Sequence, residues 1–164
     1  CFAPGRGALS SYRLREGIAP VPELCLVLRD EYSILAAVIR YWPVRVAGQP
    51  VLLLGPVAVH PTRQGEGLGA LLIQESLAEA RRLGWERVLL VGDAPYYARF
   101  GFSALQTGEL SLPGPFERDR LLGLELRDGA LDGAWGMIVP SGAAAPKSKP
   151  RPAGKARKLA SHAA

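Results

Sequence analysis

A glycine-rich loop between an apolar run and an amphipathic segment offers the clearest chemistry in this sequence. It lies within VAVHPTRQGEGLGALL, residues 57–72, where Gly65, Gly67 and Gly69 alternate just before the amphipathic segment. The first N–H groups of a helix have no intrahelical partner, and the helix dipole favours negative charge there. Glycines let the backbone turn and let a bulky anion approach those amides. The loop from Arg63 to Gly69 therefore predicts a phosphate cradle.

Two well-known nucleotide loops fit this segment less well. No Gly-Lys-Ser/Thr follows the glycines, so a Walker loop that binds a magnesium nucleoside triphosphate is not predicted. Gly65-x-Gly67-x-x-Ala70 matches a loose dinucleotide fingerprint, but several residues from His60 onward separate it from the preceding strand. Dinucleotide binding is therefore the weakest alternative. An ordinary glycine-rich helix start without a ligand is the other alternative.

Three apolar segments before the loop predict an antiparallel meander. They are Leu24–Arg29, Leu35–Val46 and Val51–Val59, and short polar turns join them. Gly55 and Pro56 interrupt the third segment. Because proline donates no ladder hydrogen bond and glycine weakens a strand, we expect a bulge at which the ladder opens.

The segments after the loop predict a helix and a parallel crossover. Apolar residues from Gly69 to Leu83 recur at i, i+3, i+4 and i+7, and Gly84 ends the helix. Arg87–Val91 is a short apolar strand, so the strand, loop, helix and strand predict a right-handed parallel crossover. A short helix over residues 95–100 and a last strand near Leu121–Leu126 follow. The predicted fold class is therefore α/β with a mixed sheet.

Length and charge predict one domain followed by a basic tail. The chain has 164 residues and a net charge of +5, and six basic residues fall between Lys147 and Lys158. The remainder carries 14 basic and 15 acidic residues. We predict a domain over residues 1–139 and a disordered tail over residues 140–164. The tail is either a solubilising segment or a weak contact with anionic surfaces such as RNA; it lacks aromatic residues for stacking on bases, so nucleic-acid binding is not favoured.

Cysteine usage and apolar runs predict a soluble cytoplasmic protein. Cys1 and Cys25 have no metal-type spacing, so no metal site is predicted and a reducing compartment fits best. No apolar run reaches the roughly 18 residues of a membrane span, and the N-terminal stretch lacks the apolar centre of a signal peptide. A membrane partner is therefore not expected.

Two motifs in order resemble the GNAT superfamily of acetyl-CoA-dependent N-acetyltransferases. Val-x-Val-x-Pro followed by Gln64–Gly69 is similar to the family's Gln/Arg-x-x-Gly-x-Gly/Ala motif. GDAPYYARFGF, residues 92–102, is similar to its Tyr-x-x-x-Gly-Phe segment, and more narrowly to a bacterial group of predicted acetyltransferases with Gly-Asp-x-x-Tyr-Tyr-x-x-Phe-Gly-Phe. The resemblance covers Tyr12 to about Val139 and implies a mostly antiparallel central sheet with a β-loop-α-β core that binds acetyl-CoA. The family ordinarily opens with a strand and a helix before the segment similar to residues 7–17, and we expect that strand and most of that helix to be missing here.

The resemblance also implies the residues that bind acetyl-CoA as cosubstrate. Backbone amides of the loop would hold the pyrophosphate, with Arg63 as a charged helper; these are Gln64, Gly65, Glu66, Gly67, Leu68, Gly69 and Ala70. The pantetheine arm would pair with the backbone of Val57, Ala58 and Val59. An amide near Val59 would polarise the thioester carbonyl.

Tyr97 occupies the position of the family's tyrosine, four residues before Gly101. Its phenol would protonate the departing thiolate; the alternative is a tyrosine packed on a short helix. Tyr96 is expected in the core, and Asp93 is expected to cap the short helix.

The function that the resemblance implies is acetyl transfer to a primary amine by direct attack, without a covalent acetyl-enzyme. The acceptor is a small molecule or a protein. Glu23, Glu31 and Asp93 remain open as the general base, and a water relay without a dedicated base is the alternative. GNAT-like domains often pair with a second copy, but nothing in this sequence selects an interface, so a homodimer is left open. The alternatives are a noncatalytic acyl-CoA-binding or regulatory module and an RNA-associated protein acting through the basic tail.

Overall fold

A computed structural model describes residues 10–141 of the chain as an α/β fold. Its elements are α1 Ser10–Arg13, β1 Leu26–Arg29, β2 Leu35–Val46, β3 Gln49–Val59, α2 Leu68–Arg82, β4 Arg87–Val91, α3 Ala94–Tyr97, β5 Leu110–Ser111, β6 Leu121–Glu125, β7 Gly136–Met137 and β8 Val139–Pro140. Short 3-10 turns lie at Pro22–Leu24, Pro61–Arg63, Ala98–Phe100 and Arg118–Arg120.

The main sheet is mixed and mostly antiparallel, as predicted. Its strand order is β1-β2-β3-β4-β6, and β8 pairs with β2. The pairs β1–β2, β2–β3 and β4–β6 are antiparallel, whereas β3–β4 is parallel. The predicted limits of β2 and β4 are confirmed residue for residue. β1 begins two residues later than predicted because Leu24 belongs to a 3-10 turn that starts at Pro22.

Two apolar clusters cover the two faces of the sheet. On one face, side chains of β2, β3 and β4 pack against α2, with Leu52, Ile73 and Leu90 fully buried among them. On the opposite face, Leu53 and Leu89 pack with Leu14, which follows α1, and with residues of β5 and β6. We call these the α2 face and the α1 face. Each strand contributes side chains to both faces because successive side chains of a strand point in opposite directions.

The predicted bulge in β3 is confirmed. Ile39 pairs with Val57 and Tyr41 with Leu54, so Gly55 and Pro56 of β3 lie opposite a single residue of β2. The Gly55–Pro56 peptide bond is cis. The parallel ladder between β3 and β4 lies at Leu52 and Leu53, ahead of the bulge. Beyond it the two strands separate, and the space between them is the cleft described below.

Some features of the C-terminal region lay outside the prediction. β5 and β7 form a small parallel sheet, and β8 extends the domain one residue past the predicted limit at residue 139. Two-residue strands have too short a pattern to be detected from sequence. From residue 142 onward the predicted tail lies outside the described residues. Within residues 10–141, no helix has the length and apolar character needed to cross a membrane.

Candidate functional site

A cleft of about 1140 Å³ opens where β3 and β4 separate. Residues 54–59 of β3 form one wall, and residues 90–93 after β4 form the other. Tyr96 and Tyr97 line it as well, together with residues of α1 and of the segment 112–120. The cleft therefore joins both motifs on which the resemblance rests.

The edge of β3 beyond the bulge presents backbone groups to this cleft. The His60 N–H donates to the Ala36 carbonyl at 2.7 Å, which sets the phase of the β2–β3 ladder. Because bonded and non-bonded pairs alternate in an antiparallel ladder, the backbone N–H and C=O groups of Val57 and Val59 point away from β2. Those of Ala58 point toward β2. Of the three residues predicted to hold the pantetheine arm, Val57 and Val59 have the suitable backbone orientation.

The predicted phosphate cradle has open space in front of its glycines. Gly65 and Gly67 have φ angles of +86° and +76°, in the left-handed region that glycine adopts without strain. A Cβ built on either residue meets nothing within 4 Å. α2 begins at Leu68, and Gln64 lines the cleft. Of the predicted cradle, Gln64 is thus the residue that lines the cleft, and α2 begins four residues after it.

Arg63 and Glu66 of the same loop are bonded to each other. The Arg63 Nε donates to a Glu66 carboxylate oxygen at 2.5 Å, and its Nη1 lies 3.7 Å from an Asp30 carboxylate oxygen. The hydrogen bond to Glu66 raises the pKa of Arg63 above its usual value. Two carboxylates are therefore already paired with Arg63 and would compete with a phosphate for its N–H donors. The contact with Asp30 was not predicted.

Gly69 and Tyr96 bring α2 and α3 together at the same end of the cleft. A Cβ built on Gly69 would lie 3.5 Å from the Val59 side chain and 3.7 Å from the Tyr96 hydroxyl. The Tyr96 ring is half-buried and packs edge-on against Tyr97, with centroids 5.0 Å apart. Tyr96 thus packs against the core as expected, but its hydroxyl reaches the first turn of α2.

Tyr97 covers Gly92 on the opposite wall. A Cβ built on Gly92 would lie 2.6 Å from a carbon of the Tyr97 ring, so only glycine accommodates the ring there. Burial raises the pKa of the Tyr97 phenol, and the neighbouring Tyr96 and Asp93 raise it further. A phenol with a raised pKa stays protonated at neutral pH and can donate a proton. Asp93 caps α3 as predicted, accepting from the Tyr96 N–H at 3.3 Å.

The other end of the cleft is built from residues that the sequence did not indicate. Arg13 of α1 donates to the Pro113 carbonyl at 2.8 Å, which joins α1 to a loop 100 residues away. The residues brought to the cleft by this arrangement are Tyr12, Arg15, Phe116, Glu117 and Arg120. No local pattern predicts such a long-range contact.

The candidates for the general base separate clearly in the structure. Asp93 lines the cleft, whereas Glu23 lies on the 3-10 turn before β1 and Glu31 on the turn between β1 and β2. Glu117 also lines the cleft. Asp93 and Glu117 are therefore the carboxylates to consider for accepting a proton.

Comparison with known sequences gives consistent matches. A family model described as Acetyltransferase (GNAT) family matches residues 4–102. Over 117 residues the chain is 30% identical to the uncharacterized N-acetyltransferase YhbS of Escherichia coli strain K12, covering 70% of each protein. Over 64 residues it is 38% identical to the uncharacterized N-acetyltransferase YjhQ of the same strain, covering 39% of this chain and 35% of that protein.

Two solved structures share the fold. One is the GNAT family N-acetyltransferase YhbS from Escherichia coli in complex with CoA, with a TM-score of 0.68 and 28% identity over 80% of this chain and 73% of that one. The other is a GNAT family acetyltransferase from Brucella melitensis in complex with acetyl-CoA, with a TM-score of 0.59 and 29% identity over 85% of this chain and 78% of that one. Structural neighbours of this fold are thus crystallised with CoA or acetyl-CoA.

Proposed function

The chain belongs to the acetyltransferase (GNAT) family, and from this membership we propose that it is an N-acetyltransferase that moves an acetyl group from acetyl-CoA to a primary amine by direct attack. The observation that carries the proposal is the cleft between the separated ends of β3 and β4. At one end Gln64 leads into the loop with the open glycines Gly65 and Gly67, and on the wall opposite β3 lies Tyr97, whose pKa is raised by burial.

The positions of the bulge and the glycine loop along the chain support one orientation of acetyl-CoA in the cleft. The cradle at Gly67 follows the end of β3 at Val59, whereas the bulge at Gly55 lies farther back along the strand. With its phosphates at the cradle, the pantetheine arm runs along β3 toward the bulge. The thioester then lies nearer Val57 than Val59. We therefore assign the carbonyl contact to the Val57 N–H, two residues from the position expected from the sequence.

Different residues of the cleft have different roles in the reaction. Acetyl-CoA supplies the acetyl group as a thioester. The Val57 N–H stabilises negative charge that develops on the carbonyl oxygen, and the two strand ends hold amine and thioester together. Tyr97 gives its proton to the sulfur as the C–S bond breaks and the C–N bond forms. Asp93 or Glu117, directly or through water, takes the proton that the amine loses.

Calorimetric titration of the purified full chain tests the cosubstrate. We expect acetyl-CoA to bind with a micromolar Kd, on the order of −8 kcal/mol, and NADH to show no binding under the same conditions. Binding of NADH but not acetyl-CoA by a folded chain would contradict the proposal and favour a dinucleotide site.

The contact between Gly92 and Tyr97 gives a second test. The Gly92→Ala variant places a methyl group where the Tyr97 ring lies, so the ring must move and its hydroxyl leaves its position. Because a small misplacement of a reacting group is costly, we expect kcat for acetylation to fall about 10-fold or more, with little change in the Kd of acetyl-CoA.

Gly108→Ala is the matched control for this variant. A Cβ at Gly108 meets nothing within 4 Å, so kcat should match the wild type. Equal kcat values for the Gly92 and Gly108 variants would show that the position of the Tyr97 ring does not matter for the reaction.

A further inference from the structure

A half-buried guanidinium lies beside the bulge, at the end of the cleft opposite the cradle. Arg15 follows α1 and lines the cleft, and its Nη2 would lie 2.9 Å from a Cβ built on Gly55. Arg120, from the segment before β6, lines the same cleft. The end of the cleft left for the acceptor therefore carries positive charge close to the point where β3 and β4 separate.

Two aromatic side chains hold the Arg15 guanidinium, and one of them is hydrogen-bonded to the bulge. Its Cζ lies 4.1 Å from the centre of the Tyr12 ring and 5.6 Å from that of Trp42. The Trp42 indole N–H in turn donates to the Gly55 carbonyl at 2.7 Å. Stacking on aromatic rings fixes a guanidinium through its faces. A cation held in this way needs little reorganisation to bind an anion.

A carboxylate matches the geometry of this guanidinium. Arg binds a carboxylate through two parallel N–H···O bonds made by an edge of its fork. Because the Arg15 Nε is buried, the edge with the two Nη groups makes this contact. Stacking involves the faces of the fork, so both interactions are compatible in one side chain. The acidic residues of the cleft, Asp93 and Glu117, provide the opposite charge, which suits an ammonium group. Together these groups complement a molecule that carries both an amine and a carboxylate.

The spacing along β3 limits the size of such a molecule. The proposed carbonyl contact at Val57 lies two residues from Gly55, which is at most about 6–7 Å because the bulge shortens the strand there. An amine that attacks the thioester therefore has Arg15 within reach of a carboxylate only a few bonds away. Resting on the proposed acetyltransferase function, we propose that the acceptor is a free amino acid whose carboxylate binds Arg15 while its amine faces the thioester.

Substrate pairs test the inference on the unmodified protein. Acetylation of the common L-amino acids and β-alanine by the full chain is compared with that of their amides, for example L-leucine with L-leucinamide. Values of kcat/KM are expressed per free amine, because an amide lowers the pKa of the neighbouring amine. For the best amino acid we expect kcat/KM to be about 30-fold or more higher than for its amide, because the amide cannot make the charge-assisted hydrogen bonds of the carboxylate. A short peptide with a free N-terminus and an amidated C-terminus should react as slowly as the amides.

Variants of Arg15 test whether the preference for the free amino acid over its amide depends on this side chain. Arg15→Gln removes the charge, and we expect kcat/KM for the amino acid to fall about 30-fold while the value for its amide changes by about twofold or less. Arg15→Lys keeps the charge without the fork, so its kcat/KM for the amino acid should lie between the values of the wild type and Arg15→Gln. Arg45→Gln removes an exposed charge from β2 and serves as the matched control. The Kd of acetyl-CoA and the unfolding midpoint show whether each variant keeps its fold.

The outcomes separate this inference from the function on which it rests. A preference for the free amino acid that disappears in Arg15→Gln supports it. Turnover of amides or of the peptide at least as fast as amino acids, or an equal loss for acid and amide in Arg15→Gln, overturns it and leaves the acetyltransferase function standing. Acetyl-CoA binding without turnover of any amine overturns both. If Arg15→Gln does not fold, the substrate pairs on the wild-type protein decide the result.

Discussion

The Tyr97→Phe variant is expected to acetylate its amine about 100-fold more slowly than the wild type, because a positioned general acid contributes roughly 10²–10⁴-fold. The Kd of acetyl-CoA should stay unchanged. The variant keeps the ring that covers Gly92 and packs against Tyr96 and Phe102, and it loses only the hydroxyl. Steady-state release of the CoA thiol measures kcat, and calorimetry measures the affinity.

The raised pKa of Tyr97 gives this prediction a pH dependence. The acid role needs the protonated phenol, and burial keeps it protonated to a pH above its ordinary value of about 10. The attacking amine must be deprotonated, so kcat/KM should rise with pH as the free amine accumulates. No fall is expected below about pH 10. A descending limb centred near pH 8 in the wild type would contradict the role of Tyr97.

Two other tyrosines make the test specific. Tyr32 is exposed on the turn between β1 and β2, so Tyr32→Phe should leave kcat unchanged and serves as the matched control. Tyr96→Phe removes a hydroxyl near the first turn of α2, and we expect any change to fall on acetyl-CoA binding rather than kcat. A large loss of kcat in Tyr96→Phe with none in Tyr97→Phe would transfer the acid role to Tyr96.

A negative charge at the glycine cradle should produce the second large effect. Gly67→Asp is expected to weaken acetyl-CoA binding about 100-fold, because a carboxylate within a few Å of a phosphate repels it by a few kcal/mol near a protein surface. The affected position is the residue that precedes α2, with a φ of +76° and open space where the side chain would stand. Aspartate enters this left-handed region more readily than most residues, and it is a good helix N-cap.

Gly67→Asn separates charge from shape in this test. Asparagine has the same size, tolerates the same backbone conformation and caps a helix equally well. Gly67→Asn should therefore raise the Kd of acetyl-CoA by less than about 10-fold. The gap between the two variants should narrow in high salt, where exposed charges are screened. Equal affinities for the Asp and Asn variants at low salt would mean that the phosphates bind away from the start of α2.

Local patterns were sufficient to predict the elements that build the cleft. The limits of β2 and β4 followed from apolar segments bounded by turn residues, and α2 followed from its helical period. Gly55 and Pro56 predicted the bulge because their effects on a strand act within one or two residues. Asp93 predicted the cap of α3 for the same reason. Each of these signals is carried by residues that lie next to each other in the chain.

Contacts between distant segments were not predictable in this way. Arg15, Trp42 and Gly55 meet only after α1 docks on the sheet, and Arg63 meets Asp30 only after β1 and β3 join the same sheet. Neither contact has a period or a spacing that a single sequence displays. The end of the cleft that we propose for the acceptor consists almost wholly of such contacts, whereas the loop that we propose for the phosphates is continuous in the chain and could be recognised as a motif.

Product formation shows whether this cleft transfers an acetyl group. The purified full chain is mixed with acetyl-CoA and a panel of amines that includes amino acids, their amides and a free-N-terminus peptide. Thiol release is followed in time, and mass spectrometry identifies the product. We expect catalytic release of CoA together with one acetylated amine, and we expect both to be slower in Tyr97→Phe. Binding of acetyl-CoA without acetylation of any amine would contradict the proposed function and identify a noncatalytic acyl-CoA-binding module.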